Sequence, residues 1–122
     1  MKKKILVVDD LELMRDIVHK MIIEIGFDVV VAKDGQEALD MIPTFRPNLV
    51  ISDIEMPRLD GIELALRILP GIPVILMTGD FEKNSSRLVE LERENLKVER
   101  LLRKPFSKMD LAMTVMASLK ID

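Results

Sequence analysis

The sequence predicts an α/β domain: a doubly wound sheet of five parallel strands with helices on both faces. Three observations carry this expectation. Short apolar runs at residues 5–8, 29–31, 49–52, 74–77 and 98–102 alternate with longer segments of helical periodicity. Strands that alternate with helices form parallel sheets joined by right-handed crossovers. The first four runs are near-continuously apolar, which suits strands covered on both faces. Polar residues stand at the ends of four of the five runs: Asp9 and Asp10, Asp53, Thr78, and Lys104. The carboxyl edge of such a sheet is where ligand sites form.

Composition bounds the function. The 122 residues suffice for one core, so a single domain over residues 1–122 with no output domain is expected. Hydrophobic residues at 48% and charged residues at 32% describe a globular chain, not a disordered one. A net charge of −3 gives no electrostatic ground for nucleic-acid or membrane binding. With no cysteine and a single histidine, His19, disulfides, thiolate catalysis and Cys- or His-rich metal sites are excluded within one chain. The apolar run after Lys4 is too short for a signal peptide, and no run approaches the length of a bilayer span. A cytoplasmic protein is expected.

Taken in order, the first strand (5–8) stops at the acidic pair. Leu13, Met14, Ile17, Val18, Met21, Ile22 and Ile25 then keep the spacing of one helix face, and Gly26 suits its left-handed end. After the strand at 29–31, Asp34 and Glu37 have the spacing of a capping box for a helix through about residue 45. Pro43 lies in its last turn and is expected to kink it or end it early. The strand at 49–52 leads into Asp53, and Pro57 marks a turn. Asp60 and Glu63 make a second capping box for a helix at 60–69, which Pro70 and Gly71 break. The strand at 74–77 ends at Thr78, Gly79 and Asp80, and the helix at 82–95 has a thin apolar stripe. Glu99 and Arg100 interrupt the fifth strand at 98–102. Ser107 caps the last helix, whose expected core stripe is Met109, Ala112, Met113, Met116 and Leu119.

This topology gathers Asp9, Asp10, Asp53, Thr78 and Lys104 at one sheet edge. Three carboxylates brought together repel unless a cation intervenes. Oxygen ligands without imidazole or thiolate favour Mg²⁺ or a similar ion, which commonly shares its shell with a phosphate. Lys104 supplies a mobile point charge suited to a phosphoryl oxygen, and Thr78 a hydroxyl donor. These are the parts for phosphoryl transfer to an aspartate.

The motifs resemble the response-regulator receiver domain of two-component signalling, the family of the chemotaxis response regulator. The acidic pair Asp9-Asp10, the stretch from Asp53 through Met56-Pro57 to Asp60-Gly61, Thr78-Gly79 and Lys104-Pro105-Phe106 fall in family order over essentially the whole chain. The resemblance implies the flavodoxin-like strand order 2-1-3-4-5. It implies that Asp53 is the phosphoacceptor. Asp9, Asp10, Asp53 and the backbone carbonyl of Glu55 would hold Mg²⁺ or Mn²⁺. Thr78 would be the switch hydroxyl, Lys104 would pair with the phosphoryl group, and the Lys104–Pro105 bond would be cis. Glu55 and Asp80 hold positions that flank the attacking water in this family. The Glu55→Ala, Asp80→Ala double variant is therefore expected to change phosphoryl lifetime, and an unchanged dephosphorylation rate would remove that role. The implied partners are a sensor histidine kinase or phosphotransfer protein and a downstream protein target in trans, with no nucleic acid and no membrane. The implied state is a monomer or a phosphorylation-dependent dimer. The domain would catalyse only its own phosphoryl transfer and autodephosphorylation, and so would not be an enzyme in the metabolic sense.

The chain departs from the family pattern near its output region. Leu101 stands where the family usually has an aromatic residue, and the chain has no Tyr or Trp. The stretch between Thr78 and Lys104 is longer than usual, and a charged run at 90–97 precedes the fifth strand instead of a Gly-Ala pair. Thr78 is expected to move on activation, with Leu101 repacking without an aromatic swing. Two other functions remain at this stage: a degenerate receiver acting as a scaffold, and a small haloacid-dehalogenase-like phosphatase. Asp10 as a simple helix cap and His19 as a phosphorelay histidine are further readings; no four-helix pattern surrounds His19 to support the latter.

Overall fold

A computed structural model describes residues 2–68, 71–93 and 101–120. The elements are β1 (Lys4–Val8), α1 (Glu12–Ile25), β2 (Asp28–Ala32), α2 (Gly35–Phe45), β3 (Leu49–Asp53), α3 (Gly61–Ile68), β4 (Val74–Thr78), α4 (Phe81–Arg93), β5 (Leu101–Arg103) and α5 (Lys108–Leu119). All strand pairs are parallel, in the order β2-β1-β3-β4-β5. The doubly wound class and the 2-1-3-4-5 order are both as expected. No described helix is long and apolar enough to cross a membrane.

Successive strand residues face opposite sides of a sheet, so each central strand feeds two cores. Leu6, Val8, Val50 and Leu76 belong to the core shared with Ala38 of α2, Leu64 of α3, and Leu88 and Leu91 of α4. Ile5, Val7, Ile51, Ile75 and Met77 belong to the core shared with Val18 and Ile22 of α1 and Leu111 and Val115 of α5. Every residue of β3 and β4 is buried, which is why these strands show no polar alternation.

The helix ends follow local chemistry. Gly26 closes α1 at φ 111°, its N–H donating to the Ile22 and Ile23 carbonyls. Asp34 accepts the Glu37 N–H at 2.8 Å, while the Glu37 carboxylate takes the Lys33 N–H, one residue before the cap. Asp60 and Glu63 bond reciprocally at 2.9 and 3.3 Å, and Ser107 pairs with Asp110 in the same way. Pro43 does not end α2 early. The helix continues to Phe45, because the Arg46 N–H still closes on the Ile42 carbonyl at 2.8 Å.

Three expectations need correction. The core stripe of α5 is Leu111, Val115 and Ser118, with Leu119 of the expected stripe packed against it, whereas Met109 and Met113 are 68% and 65% exposed and Met116 also lies outside the core. Only Lys108, Asp110, Thr114 and Ser118 are polar in α5, so two faces have helical apolar spacing and tertiary contact selects one. In α1, Leu13 and Ile17 are exposed. At 3.6 residues per turn Ile17 points roughly 100° away from Val18, beyond the narrow stripe that meets the sheet. β5 extends through Arg103, one residue past its expected end. Residues 98–100 of that strand, 69 and 94–95 of the expected helices, and 94–97 of the charged run lie outside the described residues.

Candidate functional site

Asp53 closes β3 in register with Met77, and the ladder continues through Ile54 N–H to the Met77 carbonyl at 2.9 Å. The chain then turns back so tightly that Gly61, the first residue of α3, lies against the backbone of Asp53 and Ile54. Lys104 is fixed by its N–H on the Thr78 carbonyl at 2.8 Å, and the Lys104–Pro105 peptide bond is cis. Its Nζ stands 3.2 Å from Asp53 Oδ1, an ion-pair distance without hydrogen-bond alignment. Asp9 follows β1, fully buried. Its Oδ1 accepts the Leu11 N–H at 3.0 Å, and its own carbonyl takes Arg15 Nη1 at 3.0 Å. Asp10 is exposed and does not cap α1, whose N-cap is Leu11 without a side-chain bond. This removes the reading of Asp10 as a helix cap.

Asp9, Asp10 and Asp53 each offer a carboxylate oxygen within 4.8 Å of the other two. Asp9 Oδ2 is buried with no hydrogen-bond partner among the described residues, and buried Asp53 Oδ1 has only the Lys104 ion pair there. Buried acceptors left in this way are costly, and a hard divalent cation is the group this donor set fits. The Glu55 carbonyl, the remaining expected ligand, belongs to the same loop two residues beyond Asp53.

Burial pushes the Asp53 carboxyl up to about 6, with Lys104 opposing and Asp9 and Glu55 adding to the rise. Burial likewise raises Asp9, against the pull of the Leu11 N–H. Asp53 is 3% exposed, so water does little to relieve its charge. The folded value exceeds the unfolded one. The stability it confers is therefore complete below about pH 4 and lost as pH rises through about 6. Metal-free Asp53→Asn, which keeps the shape without the charge, should be more stable than the parent by roughly 2–3 kcal/mol at pH 8. The gain should vanish near pH 4. Urea unfolding in chelator at both pH values checks this, and an equal difference at both would assign the effect to shape.

Thr78, 1% exposed, donates its hydroxyl to Glu55 Oε1 at 3.0 Å and accepts the Asp80 N–H at 3.0 Å. The Asp80 carboxylate caps the start of α4 through the Lys83 N–H at 3.1 Å. Leu101 is half-buried, pairs with Leu76 across β4 and β5, and packs on the α2–α3–α4 core. His19 is half-buried on α1.

Several residues here had no signal in the sequence. Asn84, 4% exposed on α4, donates to Glu55 Oε1 at 2.9 Å. Arg87 on α4 pairs with Asp60 at 2.7 Å, tying α4 to the cap of α3. The Arg103 guanidinium lies 3.7 Å from the Phe81 ring centroid.

Residues 5–116 match the family described as response regulator receiver domain. The chain belongs to the response regulator receiver domain family. The receiver is 40% identical to a probable transcriptional regulator, ycf27, of Cyanophora paradoxa, over 98% of this chain and 49% of that protein. It is 34% identical to protein PilG of Pseudomonas aeruginosa, over 88% of this chain and 81% of PilG. Among solved structures it resembles Vibrio cholerae chemotaxis protein CheY4, with a TM-score of 0.84 and 26% identity over 97% of this chain and 99% of that one. The receiver spans about half the length of several of the regulators it matches.

Proposed function

We propose that this receiver is a phosphorylation switch in which Asp53 is the phosphoacceptor. The observation that carries the reading is the meeting of Lys104 Nζ with Asp53 Oδ1 at 3.2 Å inside the cluster formed with Asp9 and Asp10. A carboxylate oxygen of Asp53 attacks the phosphorus of a phosphohistidine on a sensor histidine kinase or phosphotransfer protein. The new O–P bond forms as the P–N bond breaks, and the imidazole leaves with the electron pair. Lys104 neutralises charge on the transferring oxygens, and its position beside the nucleophile is pre-set by the fold. Asp9, Asp10, Asp53 and the Glu55 carbonyl would hold Mg²⁺ or Mn²⁺, which supplies further charge neutralisation when bound.

After transfer, Thr78 turns toward the phosphoryl group and the altered surface is read by a second protein in trans, in the cytoplasm. Activation is then a population shift between two surfaces. The domain turns over only its own phosphoryl group, so p-nitrophenyl phosphate should not be hydrolysed catalytically. Intact mass after incubation with acetyl phosphate tests the reading. A single phosphoryl adduct that requires the divalent cation is expected. No adduct, under conditions that label a known receiver, would favour the scaffold alternative.

A further inference from the structure

The Thr78 hydroxyl carries one hydrogen, and it is committed to Glu55 Oε1. The acceptor is itself held from α4. Asn84 Nδ2 donates to the same Glu55 oxygen at 2.9 Å and to the Asp80 carbonyl at 3.0 Å, and lies 3.3 Å from Thr78 Oγ1. A single buried amide thus joins the loop after β3, the end of β4 and the first turn of α4. Buried amides persist where their hydrogens are satisfied. This one meets three acceptors, all belonging to the switch.

We propose that Asn84 is a positioning residue that latches Thr78 onto Glu55 in the unphosphorylated domain. The inference rests on the phosphorylation reading above. To donate to a phosphoryl oxygen on Asp53, Thr78 must release Glu55. The latch opposes that release and so holds down the population of the activated arrangement. The same amide bonds the turn into α4 through the Asp80 carbonyl. Departure of Thr78 therefore rearranges the bonds at the helix start, and the event at Asp53 reaches α4 by way of Asn84. Leu101 has no aromatic ring to carry the change, and this polar hub supplies a route that needs none.

The test uses the full chain as wild type, Asn84→Ala, Asn84→Ser, Thr78→Ala and the Thr78→Ala, Asn84→Ala double variant. Three-bond couplings from Thr78 Cγ2 to the backbone nitrogen and carbonyl carbon report its χ1 without any phosphorylation. One rotamer is expected in wild type, and rotamer averaging in Asn84→Ala. Asn84→Ser, too short to reach Glu55, should behave in the same way and guards against a folding defect in the alanine variant. The steady-state acyl-phosphate level with acetyl phosphate and Mg²⁺ should rise about fivefold on loss of Asn84, the worth of one net hydrogen bond. That rise should be absent when Thr78 is already Ala. Unchanged Thr78 couplings, or an equal rise in the Thr78→Ala background, would overturn the latch. Absence of any wild-type adduct would overturn the phosphorylation reading instead, and the couplings would still decide whether Asn84 holds Thr78.

Discussion

Asp53→Asn treated with acetyl phosphate and Mg²⁺ gains no phosphoryl mass, whereas the parent gains one. The loss of labelling rate is expected to be on the order of 1,000-fold or more, because the variant lacks the attacking group itself. Asp9 and Glu55 are not expected to substitute. Asp9 has one oxygen on the Leu11 N–H and is enclosed by protein, and the Glu55 carboxylate is turned to Thr78 and Asn84. The lysine in the site is paired with Asp53. Lys104→Ala keeps the nucleophile and removes that charge. It is expected to label roughly 100-fold more slowly, the usual scale for one lost electrostatic stabiliser. Intact mass over time separates the two variants: one never labels, and the other labels late. Labelling of Asp53→Asn at the parental rate would sink the assignment of the phosphoacceptor.

Gly61→Ala has the next largest expected effect, on stability and chemistry together. A Cβ at this position would collide with the Asp53 carbonyl oxygen and lie 2.9 Å from both the Asp53 carbonyl carbon and Ile54 Cα. These are backbone atoms at the end of a fully buried strand, so no side-chain rotation relieves the contact. Alanine is the better helix former by roughly 0.5–1 kcal/mol. The steric term is larger, and a net loss of about 3 kcal/mol is expected. The strand end that yields is the one that carries Asp53. A displacement of about 1 Å there is enough to slow phosphoryl transfer by roughly 100-fold. Gly79→Ala is the control, because a Cβ there meets nothing within 4 Å. It should stay within about 0.5 kcal/mol of the parent. Urea unfolding and labelling rates on both variants measure the contrast, and equal behaviour would show that the close approach at Gly61 is tolerated.

The reactive positions were legible in the sequence for a local reason. Strand and helix periods arise from backbone geometry, so each apolar run announces its own end. A polar residue such as Asp53, Thr78 or Lys104 at that end must lie on the sheet's carboxyl edge. The caps at Asp60 and Ser107 were legible too, because a capping box is made within four residues. The α5 face was not. With apolar residues around most of the helix, only contact with the sheet distinguishes Leu111 and Val115 from Met109 and Met113.

By itself, then, the sequence determined the fold class, the strand-end chemistry and the residues that reach one edge. Tertiary structure decided which partners those residues have. It set Lys104 on Asp53, left Asp9 Oδ2 without a hydrogen-bond donor among the described residues, and raised both buried acids. It also turned the Thr78 hydroxyl to Glu55 and brought Asn84 beneath both. The physical reason is sequence distance. Asn84 and Glu55 are 29 residues apart, and no local period relates them. Burial, the charge it penalises and the hydrogen bonds that offset it exist only once separate elements have packed.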